Sequence, residues 1–333
     1  MGQGWFLLFG ALAVALGAVL VGRARSQGSD SDLARLPSAA RLPLAFRAAK
    51  PLGSLLGALV GGVLRVRRRH VEGAMRRAGV DPANAPEMYR RLGRGVFELL
   101  WLSLPGKRRL SDITRIDPEL LPWLDSPRGV VVATAHTGNW DLTACAAACA
   151  LAERDRRLLV VTKHFSHGWL DRIWQGLRRK YGVDLVSAGS VWGEARRALP
   201  HGNAVAMMID QAPERAQGSA RGRFLGEPCG LDLAPCLLAG RLGVPLIAVF
   251  AARAADGRQV LRLAGCASPP KPGEPLRAWA EATAQALSER LEEQVRLEPA
   301  DWLWMHRRWK ALPGAASQPK MQTLMRPGSA ESA

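Results

Sequence analysis

His136 and Asp141 stand five residues apart in the run His-Thr-Gly-Asn-Trp-Asp, directly after the apolar stretch Gly129 to Ala135. A histidine beside a carboxylate is a general-base pair. The carboxylate orients the ring and stabilises the imidazolium that forms when the ring takes a proton. Five residues correspond to about 500° of helix, roughly 140° away from a shared face, so the two cannot act from one regular helix. The spacing works if His136 sits in a loop and Asp141 lies in the first turn of the next helix. Asn139 suits the N-cap of that helix, and Gly138 permits a tight turn before it. The same spacing also arises by chance. Position at the carboxyl end of a strand, where α/β sheets bind ligands, favours the functional reading.

Three further blocks carry polar chemistry. Met207-Met208-Ile209-Asp210-Gln211 is again a strand ending in polar residues, although an Asp there also serves as a cap or turn former. A basic loop follows with Arg215, Arg221 and Arg223, then Phe224-Leu225-Gly226. Gly243-Val244-Pro245 leads into an apolar run, with Pro245 as ordinary strand punctuation. Trp302-Leu303-Trp304-Met305-His306-Arg307-Arg308-Trp309-Lys310 concentrates tryptophan and cations. Interfacial anchoring does this, and so does a Trp-rich core helix with solvated arginines. His306 has no carboxylate near it in sequence, which leaves His136 the preferred base. Arg178 or Arg179, near Gly182, ends a helical stretch and is suited either to a phosphate or thioester oxygen or to a solvated helix face.

Taken in order, His-x4-Asp, Asp-Gln, Val-Pro and Trp-x-Trp-x-His-Arg-Arg-Trp resemble the bacterial lipid A acyltransferase family over roughly residues 50 to 310. That family belongs to the glycerolipid acyltransferase superfamily, in a branch that also includes the phosphatidylinositol mannoside acyltransferases. The resemblance implies that Asn139, Asp210 and Gln211 line an active site with His136 and Asp141. It implies that Arg178, Arg221 and Arg223 bind substrate phosphate or carrier. Asp232 stands where many relatives have Thr or Gly, and Asp141 where the lipid A enzymes commonly have Glu.

The elements that must position these residues alternate. Candidate strands cover 129 to 135, 158 to 162, 184 to 187, 204 to 209, 245 to 251 and 259 to 264. Candidate helices cover 140 to 153, 167 to 181, 190 to 199, 231 to 242 and 275 to 296. This alternation predicts an α/β fold with a mixed, largely parallel sheet flanked by helices. The expected division is a membrane anchor at 1 to 25, a helical membrane-associated region at 26 to 110, an α/β acyltransferase domain at 111 to 311 and a disordered tail at 312 to 333.

The chain has 333 residues, 48% hydrophobic, and a formal charge of +17, mostly arginine. Such a chain buries a core and seeks anionic partners. Nucleic acid is not expected: zinc-finger spacing and RNP-like motifs are absent, and there are only two Tyr and seven Phe for base stacking. Residues 5 to 22 are uncharged, near the lower limit for a membrane span, with Arg23 and Arg25 following. The positive-inside rule then keeps the bulk of the protein on the cytoplasmic side of the inner membrane. Residues 41 to 66 read as amphipathic helices in the interface, and Arg65-Val66-Arg67-Arg68-Arg69-His70 would meet the phosphates of anionic lipid. The five cysteines make no zinc pattern and read as reduced, packed thiols. No metal or cofactor is expected.

The reading that unites these features is an O-acyltransferase. It would move an acyl chain from acyl carrier protein or coenzyme A thioester, as co-substrate, to a hydroxyl of a lipid A precursor or other glycolipid. His136 would act as base, Asp141 as its partner, and backbone N–H groups or Arg178 as oxyanion donors. The rivals are a basic membrane-bound scaffold that binds lipid or nucleic acid, and a thioesterase or lipid hydrolase using the same pair on water.

Overall fold

The computed structural model describes residues 42–103, 109–162 and 168–310. The expected anchor at 5 to 22, the linker at 26 to 36 and the tail at 312 to 333 lie outside them.

Helices come first: α1 (Leu44–Arg47), α2 (Ala49–Ala58) continued by one π turn (Leu59–Val63), α3 (Arg68–Arg77) and α4 (Ala85–Trp101). Strand β1 (Thr114–Ile116) and the short α5 (Leu121–Asp125) lead into the alternation. It runs β2 (Val130–Thr134), α6 (Trp140–Ala152), β3 (Leu158–Thr162), α7 (Gly168–Lys180), β4 (Val183–Ser187), α8 (Val191–Ala198) and β5 (Ala204–Met208). A hairpin of β6 (Ser219–Phe224) and β7 (Glu227–Asp232) precedes α9 (Ala234–Leu242), β8 (Leu246–Arg253), β9 (Gln259–Ala267) and α10 (Leu276–Leu297).

Seven strands form one sheet in the order β1-β9-β8-β2-β5-β3-β4. Its neighbours are parallel except β8 and β9, which pair antiparallel. The central strands are near-continuous apolar runs, as a sheet covered on both faces demands. Alternate residues feed two cores. Val131, Ala133, Val205, Met207, Ala248 and Phe250 point into one, which also holds Trp302 and Trp304. Val130, Ala204, Ala206, Ile247 and Val249 point into the other, beneath α6.

The mixed, mostly parallel sheet with flanking helices matches the expected α/β class. One local expectation is corrected and one left open is decided. The helix placed at 231 to 242 begins only at Ala234, because Glu227–Asp232 is the second strand of the hairpin and the Asp232 carboxylate accepts the Ala234 N–H at 2.9 Å. The tryptophan block is core: Trp302 and Trp304 are fully buried.

Helices α2 and α4 approach very closely. A Cβ on Gly53 would lie 2.2 Å from the Arg94 Cα, and one on Gly93 would lie 2.3 Å from the Gly53 carbonyl oxygen, so only glycine permits the crossing. The opposite side of the α1–α2 segment leaves Leu44, Leu55 and Val63 exposed at 79%, 70% and 72%. Among the described residues no single helix is long and apolar enough to cross a membrane; Ala49–Val63 and Arg68–Arg77 are bent by 89°.

Candidate active site

Two adjacent parallel strands build the site. The register of β2 on β5 pairs Thr134 with Met208. Two residues further along each, His136 faces Asp210 across the carboxyl edge of the sheet. The His136 Nδ1–H donates to Asp210 Oδ1 at 2.9 Å and lies 3.1 Å from Oδ2; the His136 backbone N–H donates to Oδ2 at 3.0 Å. The buried indole N–H of Trp302 donates to the same Oδ2 at 3.1 Å.

Asp210 is fully buried. Burial alone would raise its pKa. The charge of His136 and its hydrogen bonds outweigh that, aided by His306, and hold the carboxyl well below the usual carboxylate range. An ionised Asp210 is acceptor-only, so the proton between the two groups sits on His136 Nδ1. The neutral ring then carries its lone pair on Nε2, the form a general base needs.

His136 is therefore hydrogen-bonded to Asp210, and the pairing with Asp141 expected from sequence is corrected. Asp141 does lie in the first turn of α6, but it faces α7. Its Oδ1 accepts from Arg178 Nε at 2.8 Å and from Nη2, and its Oδ2 accepts from Trp174 Nε1 at 3.1 Å. Arg178, not Arg179, makes this pair, and also donates to Gln175 Oε1 at 3.1 Å.

Asn139 caps α6, its Oδ1 accepting the Leu142 N–H at 3.1 Å, as the sequence predicted. Its Nδ2 donates to Glu98 Oε2 at 3.1 Å and to the Gly95 carbonyl at 3.0 Å. Glu98, buried on α4, is a hub the sequence did not reveal. It also accepts from Arg94 at 2.6 Å, from Arg253 Nη1 and Nη2 at 2.6 and 3.0 Å, and from Gln259 Nε2 at 3.4 Å. Gln259 in turn accepts the Asn139 N–H at 3.1 Å. Gly138, with φ of 52°, lies against this hub: a Cβ there would meet Gln259 Oε1 at 2.9 Å.

A short segment holds the loop from the other side. Thr137 and Trp302 form an antiparallel bridge, Leu303 N–H donates to the His136 carbonyl at 3.0 Å, and Gly138 N–H to the Asp301 carbonyl at 2.9 Å. His306, read from sequence as lacking a carboxylate, has Nε2 4.0 Å from Asp210 Oδ2, and its ring centroid is 4.6 Å from that of His136. Burial, and then the charge of His136, lower its pKa to about 3, against the opposing pull of Asp210. Ligand-type atoms of His136, Asp210 and His306 lie within 4.8 Å of one another.

The remaining predicted site residues are dispersed. The Gln211 carbonyl accepts from the buried Arg308 at 3.0 Å, and the same Nη1 donates to the Gly230 carbonyl. Arg221 and Arg223 are exposed on β6, and Arg223 Nη2 folds back to the Gly226 carbonyl at 2.6 Å. No described contact joins either arginine to His136. Cys145 is a buried residue of α6, where burial and then Asp141 raise its thiol pKa far above the ordinary value.

A profile of the family described as Bacterial lipid A biosynthesis acyltransferase matches residues 44–311. The chain belongs to that family. It is an acyltransferase of lipid or glycolipid biosynthesis, and the matched residues include the His136–Asp210 pair, the Glu98 hub and the tryptophan block. Two relatives, both called phosphatidylinositol mannoside acyltransferase, come from Mycobacterium tuberculosis strains H37Rv and CDC 1551. Each is 26% identical over 255 residues, covering 70% of this chain and 74% of the relative.

Proposed function

We propose that this acyltransferase carries a fatty acyl chain from a thioester to a sugar hydroxyl of a membrane glycolipid, with His136 as general base and Asp210 as its partner. The observation that carries the reading is the hydrogen bond from His136 Nδ1 to a buried, ionised Asp210, which leaves Nε2 as the basic atom. Nε2 takes the proton of the acceptor hydroxyl as its oxygen attacks the thioester carbonyl. The tetrahedral intermediate collapses, the C–S bond breaks, and the departing thiolate takes the proton back from Nε2. The ester product and free thiol balance the step.

The N–H groups of Trp140 and Asp141 have no intrahelical acceptor and suit the oxyanion. Arg178 is already engaged by Asp141, which disfavours it for that role. The buried Cys145 thiol stays protonated, which favours direct transfer over an acyl-enzyme.

The donor in this reading is an acyl carrier protein, whose acidic surface suits a chain of charge +17; coenzyme A is the alternative donor. The acceptor is a lipid A precursor or another glycolipid, in line with the family and the names of its mycobacterial relatives. The exposed Leu44, Leu55 and Val63, beside exposed Arg47, Lys50 and Arg65, suit an anionic leaflet. With residues 5 to 22 as anchor, the protein works on the cytoplasmic side of an inner membrane.

The test is transfer of radiolabelled acyl from acyl carrier protein, and in parallel from coenzyme A, to a total membrane lipid extract. Wild-type and His136→Ala protein are compared, with products resolved by mass spectrometry. A new acylated lipid absent with the variant supports the reading. Equal product from both removes His136 as base, and free fatty acid without acylated lipid points to hydrolysis.

A further inference from the structure

Three groups able to ligate a metal converge at the carboxyl edge of the sheet from three separate segments: His136 after β2, Asp210 after β5 and His306 beyond α10. One ligand-type atom from each lies within 4.8 Å of the other two. His136 Nδ1 is 2.9 Å from Asp210 Oδ1, and His306 Nε2 is 4.0 Å from Asp210 Oδ2. Two ligands on a tetrahedral zinc ion, each about 2.0–2.1 Å from it, stand about 3.3 Å apart. The two separations bracket that value, so side-chain rotations of about half an ångström bring these atoms to metal-ligand spacing.

One member of the set lacks a hydrogen-bond partner: His306 Nε2 is buried and makes no hydrogen bond among the described residues. A buried polar atom left so costs free energy that a ligand bound to it recovers. Burial, and then the charge of His136, keep that ring neutral, the form in which imidazole binds a metal. Asp210 is ionised, as a carboxylate ligand must be.

The surroundings hold the three groups in place. His70 Nε2–H donates to the His306 carbonyl at 3.0 Å, and Leu303 N–H to the His136 carbonyl at 3.0 Å. The Trp302 indole N–H and the His136 backbone N–H hold Asp210 Oδ2 at 3.1 and 3.0 Å. Outer hydrogen bonds of this kind orient metal ligands. Two imidazoles and one carboxylate suit a borderline divalent ion such as zinc, whereas magnesium and calcium take oxygen ligands.

We infer that His136, Asp210 and His306 form an inhibitory zinc site, in which the bound ion silences the general base. The inference rests on the acyl-transfer reading for the ion's effect and not for its binding. Either ring nitrogen of His136 gives the same result. Zinc on Nδ1 sends the ring proton to Nε2, and zinc on Nε2 takes up the lone pair itself. In both cases His136 has no free lone pair for the proton of the acceptor hydroxyl.

The test measures zinc binding to folded full-length protein by calorimetry, with cobalt(II) as a spectroscopic probe of tetrahedral coordination. His306→Phe and Asp210→Asn remove ligands, and His306→Gln replaces the first if circular dichroism shows that it does not fold. His201→Ala and Cys266→Ser, both at exposed positions, are the controls. The inference expects one zinc per chain, affinity weakened about tenfold or more in each site variant, and wild-type affinity in the controls. Zinc should inhibit acyl transfer by wild type, and a chelator should restore it. Unchanged zinc affinity in both site variants, or no saturable binding to wild type, overturns the site. Site-specific binding that leaves acyl transfer intact overturns the inhibition. Site-specific binding to a wild type that transfers no acyl chain keeps the site and sinks the reaction.

Discussion

Asp210 and His136 are 74 residues apart in the chain and 2.9 Å apart in space, because each lies two residues past the end of neighbouring parallel strands. Parallel neighbours point the same way, so their carboxyl ends converge on one edge. A pair formed there depends on sheet register and not on spacing within a loop. The proton on Nδ1 is fixed by an acceptor that β5 supplies, and β2 supplies the base.

Asp210→Asn should cut kcat by about 10²–10⁴-fold with smaller change in KM, since an amide can present its NH₂ to Nδ1 and reverse the tautomer. Steady-state kinetics on a variant with wild-type circular dichroism checks this. An Asp210→Asn enzyme within threefold of wild-type kcat would remove Asp210 from the base pair.

Asp141→Ala should act mainly on stability. It leaves the Arg178 guanidinium, 12% exposed, without its carboxylate, and breaking such a pair costs about 3–5 kcal/mol. Urea unfolding should show the loss, and adding Arg178→Met should restore part of it. Asp141→Ala with unchanged stability and a collapsed kcat would return Asp141 to the role of His136's partner.

Glu98→Gln should lower kcat about 10–100-fold by loosening Asn139 and Gln259, and through them the His136 loop. A merely structural role would lower the melting temperature and leave kcat of the folded fraction intact. The rates are therefore compared well below melting, with Glu98→Asp as the conservative rescue.

His306 makes stability pH-dependent. Its pKa falls from 6.5 in the unfolded chain to about 3 in the fold, so the unfolded state binds the extra proton between those values. Stability contributed by the neutral ring is present above pH 6.5 and lost as pH falls toward 3, at up to about 1.4 kcal/mol per pH unit. Denaturation midpoints from pH 7 to 4.5 should fall more steeply for wild type than for His306→Phe. Parallel slopes would show that His306 does not titrate this way.

The sheet was legible because its central strands are uninterrupted apolar runs. Leu158–Thr162 matches the range read from sequence, and α6 and α7 differ by a residue or so at their ends. Strand β1 is only three residues, Thr-Arg-Ile, too short for a pattern. The β6–β7 hairpin is hidden in the sequence because Gly222, Pro228 and Gly230 break its alternation, although Leu225 and Gly226, both at positive φ, make the tight turn a hairpin needs. In the site, His136 and Asn139 are readable from local spacing, and Asp210 reads as a strand-end residue. Its partnership with His136 was not readable, because the neighbour of β2 is decided by sheet order. Glu98 looked like any charge on an amphipathic helix; its burial depends on arginines from α4 and β8.

Trp302, Leu303 and Arg308 close over the site from a segment that follows the nine strands of the described residues: the indole holds Asp210, the Leu303 amide holds the His136 carbonyl, and the guanidinium holds the Gln211 carbonyl. On the ribosome the whole sheet therefore emerges before the base pair has its last supports. A chain ending before residue 301 would carry both halves of the pair without the contacts that set them.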